Sequence, residues 1–315
     1  MTKEYSLKNI AISAGDPNGI GYDLCVMLFD TKINHDITIF SNQDLLLHRA
    51  KLLKIDITNP IKKNIKIQNI PLKNDDRDYR LLTLDTIKSS ALACLKKKHD
   101  ALVTLPVNKK KLSSQSFQFI GHTEYLAEIL ESKNEPIMCF TANQNCLVAI
   151  NSTHLSLADA IKKVSTPRIE KNIKILYTFL KIYRKIDNPK ILLTGLNPHA
   201  GEDGIFGLEE INIITPAIKN LKSIGIAVDG PSPGDTAFIP KNRNSYDCIY
   251  YMYHDQALSA FKSIYFDEGV NVSVGLPIIR TSVDHGTAED LVGKKNCIST
   301  KSLLNAIDVA ASLIL

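Results

Sequence analysis

Three of the eight histidines stand just after apolar runs that read as buried strands. His154 follows CLVAIN, His199 follows KILLTGL and His254 follows DCIYYMY. Because ligands of open α/β sheets bind at the carboxyl ends of the strands, three imidazoles converge on one point if these strands share a sheet edge. Three neutral imidazoles suit Zn²⁺, Co²⁺, Ni²⁺ or Fe²⁺ and leave a coordination position open for water or substrate. The alternative is that each histidine caps a loop or hydrogen-bonds to the backbone.

Two glycine-rich loops also follow predicted strands. The first, GDPNGIG at 15–21, is not a GxGxxG loop, because Leu24 stands at the last glycine position, and no lysine follows Gly21 as in a GxxxxGK loop. Its tight turn is more typical of an active-site wall than of a dinucleotide cradle. The second, NPHAGEDGIFG at 197–207, contains His199 and lets backbone amides approach a ligand closely, with a plain mobile linker as the alternative.

Three polar residues lie in or beside the run VNVSVGL at 270–276, namely Lys262, Asn271 and Arg280. Arginine is rare in this chain, with seven residues beside 38 − 7 = 31 lysines, so an arginine next to a strand stands out. Together these side chains can bind the phosphate and carboxylate of a small anionic substrate, with the arginine as a bidentate donor. Charges scattered over a surface hairpin are the alternative.

The segments that must position these residues alternate between strand-like and helix-like patterns, which is typical of an α/β architecture. Strands are predicted at 8–13, 37–40, 65–70, 100–107, 146–151, 190–196, 247–253 and 270–276. Helices are predicted from about Tyr22, over 83–96, from His122, over 168–186 and 209–225, and at the end of the chain. No internal repeat or low-complexity linker interrupts the alternation, so two domains must pack closely rather than lie on a tether.

Composition narrows the class of protein. At 315 residues, 44% hydrophobic and 23% charged, the chain predicts two globular domains or one large α/β unit. No apolar run is long enough to span a bilayer, and the N-terminus lacks the apolar segment of a secretory signal. The net charge of +5 comes from lysine clusters that either bind an anionic surface or lie at solvated helix ends; we favour the latter, because no nucleic-acid-reading motif accompanies them. Six cysteines without metal-site spacing indicate reduced thiols and a cytoplasmic protein.

Seven segments, which span nearly the whole chain, resemble the 4-hydroxythreonine-4-phosphate dehydrogenase family of vitamin B6 biosynthesis. They are SAGDPNGIG, ALVTLPVNK, GHTEYLAE, STHLSL, GLNPHAGEDGIFGLEE, MYHDQAL and GVNVSVGLPIIRTSVDHGTAED. The resemblance implies two α/β domains of the isocitrate and isopropylmalate dehydrogenase type, with no Rossmann fingerprint and with the active site in the interdomain cleft. On this basis we expect residues 1–118 plus 276–315 to form an NAD-side domain, and residues 119–275 to form a domain for metal, substrate and dimerisation.

The resemblance also implies which residues form the site. The ligands of one divalent ion per active site, Zn²⁺, Co²⁺ or Mg²⁺, are His154, His199 and His254. The substrate-binding residues are His122, Thr123, Lys262, Asn271 and Arg280. The residues that shape the site of NAD, or of NADP, are His285, Gly286, Thr287 and Ala288. The catalytic set is the three metal-binding histidines with Asp235 and Lys262, and the base is Asp235, Lys262 or a relayed water.

The implied reaction is an NAD-dependent, metal-assisted oxidation of 4-phosphooxy-L-threonine, followed by decarboxylation to 3-amino-2-oxopropyl phosphate. The implied partners are this small phosphorylated anion and a second copy of the chain, which forms a homodimer with the active site at the dimer interface. The resemblance implies no binding to nucleic acid or to a membrane. A dehydrogenase of a four-carbon sugar-acid phosphate, of the threonate phosphate type, would use the same residues. An acyl-phosphate transferase and a non-catalytic binding protein are more distant alternatives, and the three histidines argue against the transferase, which needs no such metal.

Overall fold

The computed structural model describes residues 7–58, 64–73, 79–142 and 146–315 of the chain. Its strands, numbered along the chain, are β1 Asn9–Ser13, β2 Asp36–Ser41, β3 Ile65–Asn69, β4 Ala101–Thr104, β5 Ile137–Thr141, β6 Leu147–Ile150, β7 Lys190–Thr194, β8 Ala227–Ser232, β9 Cys248–Tyr251, β10 Val270–Val274 and β11 Ile279–Val283. Its α-helices are α1 Gly21–Met27, α2 Gln43–Leu53, α3 Arg80–Leu95, α4 Lys109–Leu112, α5 His122–Ile129, α6 Leu157–Lys162, α7 Thr166–Tyr183, α8 Thr215–Ser223, α9 Pro240–Ser245, α10 His254–Tyr265 and α11 Lys301–Ser312. The predicted mixed α/β class is confirmed.

The described chain folds as two compact units. The first unit comprises the described residues of Met1–Glu135 together with Leu276–Ile314, and the second comprises Pro136–Gly275 and the terminal Leu315. The later division, between residues 275 and 276, coincides with the boundary expected from the sequence. The earlier boundary, expected at 118/119, instead lies inside the first unit, because Phe119, Leu126 and Leu130 are buried in the apolar core of that unit.

Five parallel strands form the sheet of the first unit, in the order β3-β2-β1-β4-β11. The central strands β1 and β4 are almost wholly buried, because a parallel sheet is covered on both faces, and they therefore read as near-continuous apolar runs. Helices α3 and α11 contact these strands. In the core, Leu82 and Ile87 of α3 pack with Ala11 of β1 and Leu102 of β4.

The sheet of the second unit has the order β10-β5-β6-β9-β7-β8. β5 pairs antiparallel with β10 and with β6, whereas β6, β9, β7 and β8 run parallel to one another. Its apolar core joins Val148, Leu192 and Ile249 of the strands with Leu258 and Phe261 of α10. The parallel part of this sheet is the one that carries the three histidine-bearing loops.

The structure differs from the predicted elements in two respects. The helix predicted over 209–225 is divided into a π-helical turn at Glu210–Ile214 and helix α8, where Pro216 removes a backbone donor near the junction. The sequence pattern also fails to predict eight of the observed elements, namely the helices α2, α4, α6, α9 and α10 and the strands β5, β8 and β11. Because β11 carries Arg280, this arginine lies in a parallel strand, beside β4, and not in a surface hairpin.

Two further features of the described residues concern the length of the helices and the state of the cysteines. No helix in the described ranges combines the length and the apolar character needed to cross a membrane. All six cysteines are free, and Cys25, Cys94, Cys139 and Cys248 are buried. The N-terminal segment MTKEYS, which lacks an apolar signal run, and residues 62–63 of the lysine clusters lie outside the described residues.

Candidate active site

The three strands that precede the histidines are neighbours in the second unit. β6 pairs with β9, and β9 pairs with β7, all in parallel, so their carboxyl ends meet at one edge of the sheet. His154, His254 and His199 lie four, three and five residues beyond the ends of β6, β9 and β7. The expectation that these strands share an edge is therefore confirmed.

His154 and His254 are the pair that the structure brings together. Their ring centroids lie 5.5 Å apart, with the ring planes inclined by 42°. Two imidazoles on one tetrahedral ion, with metal–nitrogen distances of about 2.1 Å, have ring centroids about 5 Å apart. The donor chemistry and the spacing of the pair therefore fit a divalent ion such as Zn²⁺. Nδ1 of His254 lies 3.3 Å from Oδ1 of Asp255, a carboxylate of the kind that orients a metal-binding imidazole.

His199 lies at the same edge but outside this pair. Its side chain is exposed, and its ring centroid lies 6.0 Å from that of Phe206. The backbone of residues 199–203 is left-handed throughout, with φ between 41° and 81°. Within the ranges that the structure describes, no three His, Cys, Asp or Glu side chains are close enough together to hold a metal ion. The chain thus pairs two of the three predicted ligands and presents the third on a separate loop.

Gln256 connects the loops that carry His199 and His254. Its Oε1 accepts hydrogen bonds from Oγ1 of Thr194 at 3.1 Å and from the backbone amide of Met252 at 2.9 Å. Its Nε2 donates to the carbonyl oxygen of Gly195 at 2.8 Å. The end of β7 is thereby fixed to the turn between β9 and α10. The sequence reasoning missed this residue, although it stands in the segment MYHDQAL two positions after His254.

The other predicted residues of the second unit are Lys262, Asn271 and Asp235. Lys262 and Asn271 are half-buried, in α10 and β10, and Lys262 lies about two helical turns beyond His254. Asp235 is exposed in the turn after β8. That turn packs against Gln256, because a Cβ added to Gly234 would lie 2.6 Å from Nε2 of Gln256. The structure therefore places the Asp235 turn beside the residue that joins the two histidine loops.

Arg280 is a buried cation of the first unit. It is 3% exposed, and its Nε and Nη2 donate to Oγ1 of Thr104 at 3.2 and 2.6 Å. Thr104 is the last residue of β4, so the guanidinium lies at the carboxyl end of that strand. Burial lowers the pKa of Arg280, and the charge of Glu124 opposes this by favouring the protonated form. A buried guanidinium at a strand end is suited to an anionic group of a substrate.

His122 and Thr123 open helix α5, in the same unit as Arg280. Thr123 is 3% exposed, and the buried Nε2 of His122 has no hydrogen-bond partner among the described residues. Burial lowers the pKa of His122 well below its usual value, and the charges of Arg280 and Lys109 lower it further. The positive charges of Arg280 and Lys109 therefore act on the buried end of this imidazole, and such an environment stabilises a bound anion.

The predicted dinucleotide loop, 285–288, packs against the GDPNGIG loop within the first unit. The backbone amide of Ile20 donates to the carbonyl oxygen of Thr287 at 2.9 Å, and a Cβ added to Gly19 would lie 2.8 Å from the same oxygen. Nδ1 of His285 lies 3.0 Å from the carbonyl oxygen of the next residue. The loop that the sequence identifies as an active-site wall therefore supports the segment predicted to contact the cofactor.

A buried ion pair between Arg49 and Asp23 stabilises the GDPNGIG loop, and the sequence did not predict this pair. Arg49 also donates to the carbonyl oxygens of Pro17 at 2.9 Å and of Gly19 at 3.2 Å, both in the GDPNGIG loop. Oδ1 of Asp23 accepts from the backbone amide of Gly293 at 2.8 Å. The rarity of arginine was the available signal, but nothing in a single sequence links Arg49 to a loop thirty positions earlier.

Comparison with known proteins decides the family. The model of the family described as Pyridoxal phosphate biosynthetic protein PdxA matches residues 32–310. The chain belongs to this family. Its PdxA relatives include proteins named 4-hydroxythreonine-4-phosphate dehydrogenase from Methylococcus capsulatus, 37% identical with 96% of each chain covered, and from Vibrio parahaemolyticus, 37% identical with 98% of each covered. The family predicted from the seven segments is confirmed.

Solved PdxA-family structures share the fold over the whole chain. A 4-hydroxythreonine-4-phosphate dehydrogenase from Klebsiella pneumoniae is 29% identical, with a TM-score of 0.86 and 99% of each chain covered. One from Burkholderia phymatum is 31% identical, with a TM-score of 0.80 and 98% of each covered. A phosphotransacetylase from Staphylococcus aureus, at 10% identity and a TM-score of 0.56, shares the fold alone.

Proposed function

We propose that the chain catalyses the NAD-dependent, metal-assisted oxidation of 4-phosphooxy-L-threonine and the decarboxylation that yields 3-amino-2-oxopropyl phosphate, in the synthesis of pyridoxal phosphate. Full-length similarity to PdxA-family enzymes that bear the 4-hydroxythreonine-4-phosphate dehydrogenase name carries this proposal. The placement of His154, His199 and His254 at one edge of a parallel sheet supports it, because that edge is where α/β proteins bind ligands.

The metal-binding part of the proposal rests on imidazole chemistry. His154 and His254 would hold one divalent ion, Zn²⁺, Co²⁺ or Mg²⁺, with His199 as the third ligand. Residues 285–288 would contact NAD, with NADP as an alternative. If bound there, a divalent ion would lower the pKa of the substrate 3-hydroxyl and stabilise negative charge, and NAD would serve as the hydride acceptor.

The side chains of the protein orient the substrate and move its proton. Arg280 and Lys262 bind the anionic ends, with Asn271, His122 and Thr123 as further contacts. This fixes the C3 hydrogen toward the nicotinamide and so lowers the entropic part of the barrier. The hydroxyl proton passes to Asp235 or Lys262, directly or through a water.

The third ligand, we propose, comes from a second copy of the chain in a homodimer. His199 is exposed and lies outside the His154–His254 pair. The segment that follows it carries large exposed apolar side chains, with Ile205 73% and Leu208 55% exposed. A loop of this kind favours burial against another protein surface. We also propose that the two domains are arranged as in isocitrate dehydrogenase. The six free cysteines support a further proposal, that the protein is cytoplasmic.

The test is NADH formation by the purified chain with 4-phosphooxy-L-threonine as substrate. We expect NADH to appear with a divalent ion present, to stop when a chelator is added, and to return when Zn²⁺ or Co²⁺ is restored. Threonate 4-phosphate, which has a hydroxyl in place of the amine, is the matched control substrate. Faster turnover of the threonate would assign the catabolic reaction, and no NADH from either substrate with metal and NAD or NADP supplied would refute the dehydrogenase assignment.

A further inference from the structure

The loop that carries His199 adopts a backbone conformation that its non-glycine residues disfavour. Residues His199, Ala200, Glu202 and Asp203 have φ values of 52°, 52°, 41° and 54°, in the left-handed region that L-residues avoid. A run of such residues persists where surrounding contacts fix it. The contacts that fix this loop are therefore of functional interest, because they decide where the His199 imidazole lies.

Glu210 supplies such contacts from inside the loop. It is 3% exposed, and its Oε1 accepts hydrogen bonds from the backbone amides of Leu196 at 2.7 Å and Asn197 at 2.8 Å. Its Oε2 accepts from Nδ2 of Asn197 at 2.9 Å. Both oxygens of a buried carboxylate are thus used to hold the two residues that lead into Pro198 and His199. Charge-assisted bonds of this type are stronger than neutral ones.

The loop also closes tightly around the same carboxylate. A Cβ added to Gly195 would lie 2.9 Å from Oε1 of Glu210, and one added to Gly201 would lie 2.7 Å from Oε2. Glycine is therefore required on both sides of His199 for the backbone to approach the carboxylate. Gly201 belongs to the loop at 197–207 that is predicted to let backbone amides approach a ligand, and in the structure it lets the backbone approach Glu210.

We propose that Glu210 is a positioning residue of the metal site, which holds the strained 195–201 segment so that His199 is presented in one orientation. This inference rests on the proposed function, in which His199 is a metal ligand. Glu210 touches neither substrate nor cofactor in this account, and it acts through the backbone of Leu196 and Asn197. Residues that orient a ligand in this way raise metal affinity because the ligand loses less freedom on binding.

The test compares the metal-free forms of Glu210→Gln and Glu209→Gln by titration with Zn²⁺ and Co²⁺. Glutamine keeps the shape of the side chain but turns one acceptor into a donor that faces the donors of the loop. We expect Glu210→Gln to weaken metal binding about tenfold or more. Glu209→Gln is the matched control, because Oε2 of Glu209 bonds to the Asn197 side chain at 2.7 Å and an amide oxygen can replace it. Its metal affinity should stay that of the wild type.

A double-mutant cycle with His199→Ala separates positioning from general stability. If Glu210 acts through His199, adding Glu210→Gln to His199→Ala causes no further loss of metal affinity, whereas two independent effects add. Additive losses, or a wild-type affinity in a folded Glu210→Gln protein, would overturn the inference. If His199→Ala itself binds metal as the wild type does, the metal role of His199 in the proposed function fails instead, so the two failures are distinguishable.

Discussion

The backbone amide of Ile20 donates a hydrogen bond to the carbonyl oxygen of Thr287 at 2.9 Å, and this bond joins the first glycine loop to the segment predicted to contact the dinucleotide. The contact is close, since a Cβ added to Gly19 would lie 2.8 Å from the same oxygen. The same loop is also bound by Arg49, whose guanidinium donates hydrogen bonds to the carbonyl oxygens of Pro17 and Gly19. The first loop cannot retreat without breaking these bonds, so its shape is transmitted to the 285–288 segment.

Gly19→Ala should therefore impair cofactor binding. The added methyl group pushes the Thr287 carbonyl, because the Arg49 bonds prevent the first loop from moving away. We expect a raised KM for NAD⁺, with the KM for 4-phosphooxy-L-threonine little changed, in initial-rate measurements that vary each substrate in turn. An equal rise in both KM values would show that the loop acts on the whole site, and an unchanged KM for NAD⁺ would remove residues 285–288 from the cofactor site.

Arg280→Lys should weaken the binding of the phosphorylated substrate. Lysine keeps the charge but loses the planar fork, and a lost hydrogen bond to a charged group corresponds to a KM about 10–100-fold higher. The KM for NAD⁺ should be unaffected. Thr104→Val is the matched control, since it removes the hydroxyl that accepts from Nη2 at 2.6 Å while leaving the guanidinium in place. It should give a smaller rise in the same KM. A wild-type KM in Arg280→Lys would exclude Arg280 from substrate binding.

The pKa of His122 predicts how stability depends on pH. Burial, helped by the charges of Arg280 and Lys109, holds the pKa of His122 well below the value of 6.5 that applies in the unfolded chain. Below pH 6.5 the unfolded state therefore binds a proton that the folded state does not, so this contribution to stability is present above pH 6.5 and is lost as the pH falls. The free energy of unfolding should decrease with a slope of up to about 1.4 kcal/mol per pH unit from this group.

Chemical denaturation of wild type and His122→Asn between pH 7 and pH 5 measures that slope. Burial also lowers the pKa of His99, so the wild-type slope contains a second contribution and the informative quantity is the difference between the two proteins. We expect a shallower slope in His122→Asn than in the wild type, because the variant lacks the imidazole whose pKa is lowered by burial. Parallel slopes in wild type and His122→Asn would show that His122 is protonated alike in both states.

The edge that carries the histidines could be predicted because its causes are local. Buried parallel strands appear in the sequence as apolar runs, and a parallel sheet brings their carboxyl ends to one edge. The sequence therefore predicts that His154, His199 and His254 lie at the same edge. The distances between these side chains could not be predicted. The pairing of His154 with His254 at 5.5 Å depends on how two loops from different strands are held, which no single segment encodes.

The parts that sequence reasoning missed are long-range polar contacts. In the sequence, Glu210 and Gln256 look like ordinary polar residues near the starts of helices, and their roles become clear only from their hydrogen bonds to residues 195–197. The same holds for the left-handed run from His199, because non-glycine residues there go against local preference and are held by tertiary contacts. Arg280 was identified as a candidate, but its burial in β11 was not foreseen, since IIRTS has no clear alternation of polar and apolar residues.

The separation of His199 from the other two histidines leads to a prediction about the dimer. If the third ligand comes from a second copy, each active site contains His254 of one chain and His199 of the other. His199→Ala and His254→Ala then remove ligands that different chains supply to one site. In a mixed dimer of these two variants, one site keeps His154 and His254 from one chain and His199 from the other, and the second site is doubly damaged. Random pairing makes half of the dimers mixed, each with one intact site of two, so activity should return to about a quarter of wild type.

Co-expression of the two variants with different affinity tags, followed by purification through both tags, isolates the mixed dimer for assay. Each variant alone should be inactive and should hold less Zn²⁺, whereas the mixed dimer should show both activity and about half of the wild-type metal content. The pair His154→Ala and His254→Ala is the control, because these two imidazoles lie 5.5 Å apart in one chain and their mixed dimer should stay inactive. An inactive mixed dimer of His199→Ala and His254→Ala would place all three ligands in one chain, which requires the His199 loop to move toward the His154–His254 pair.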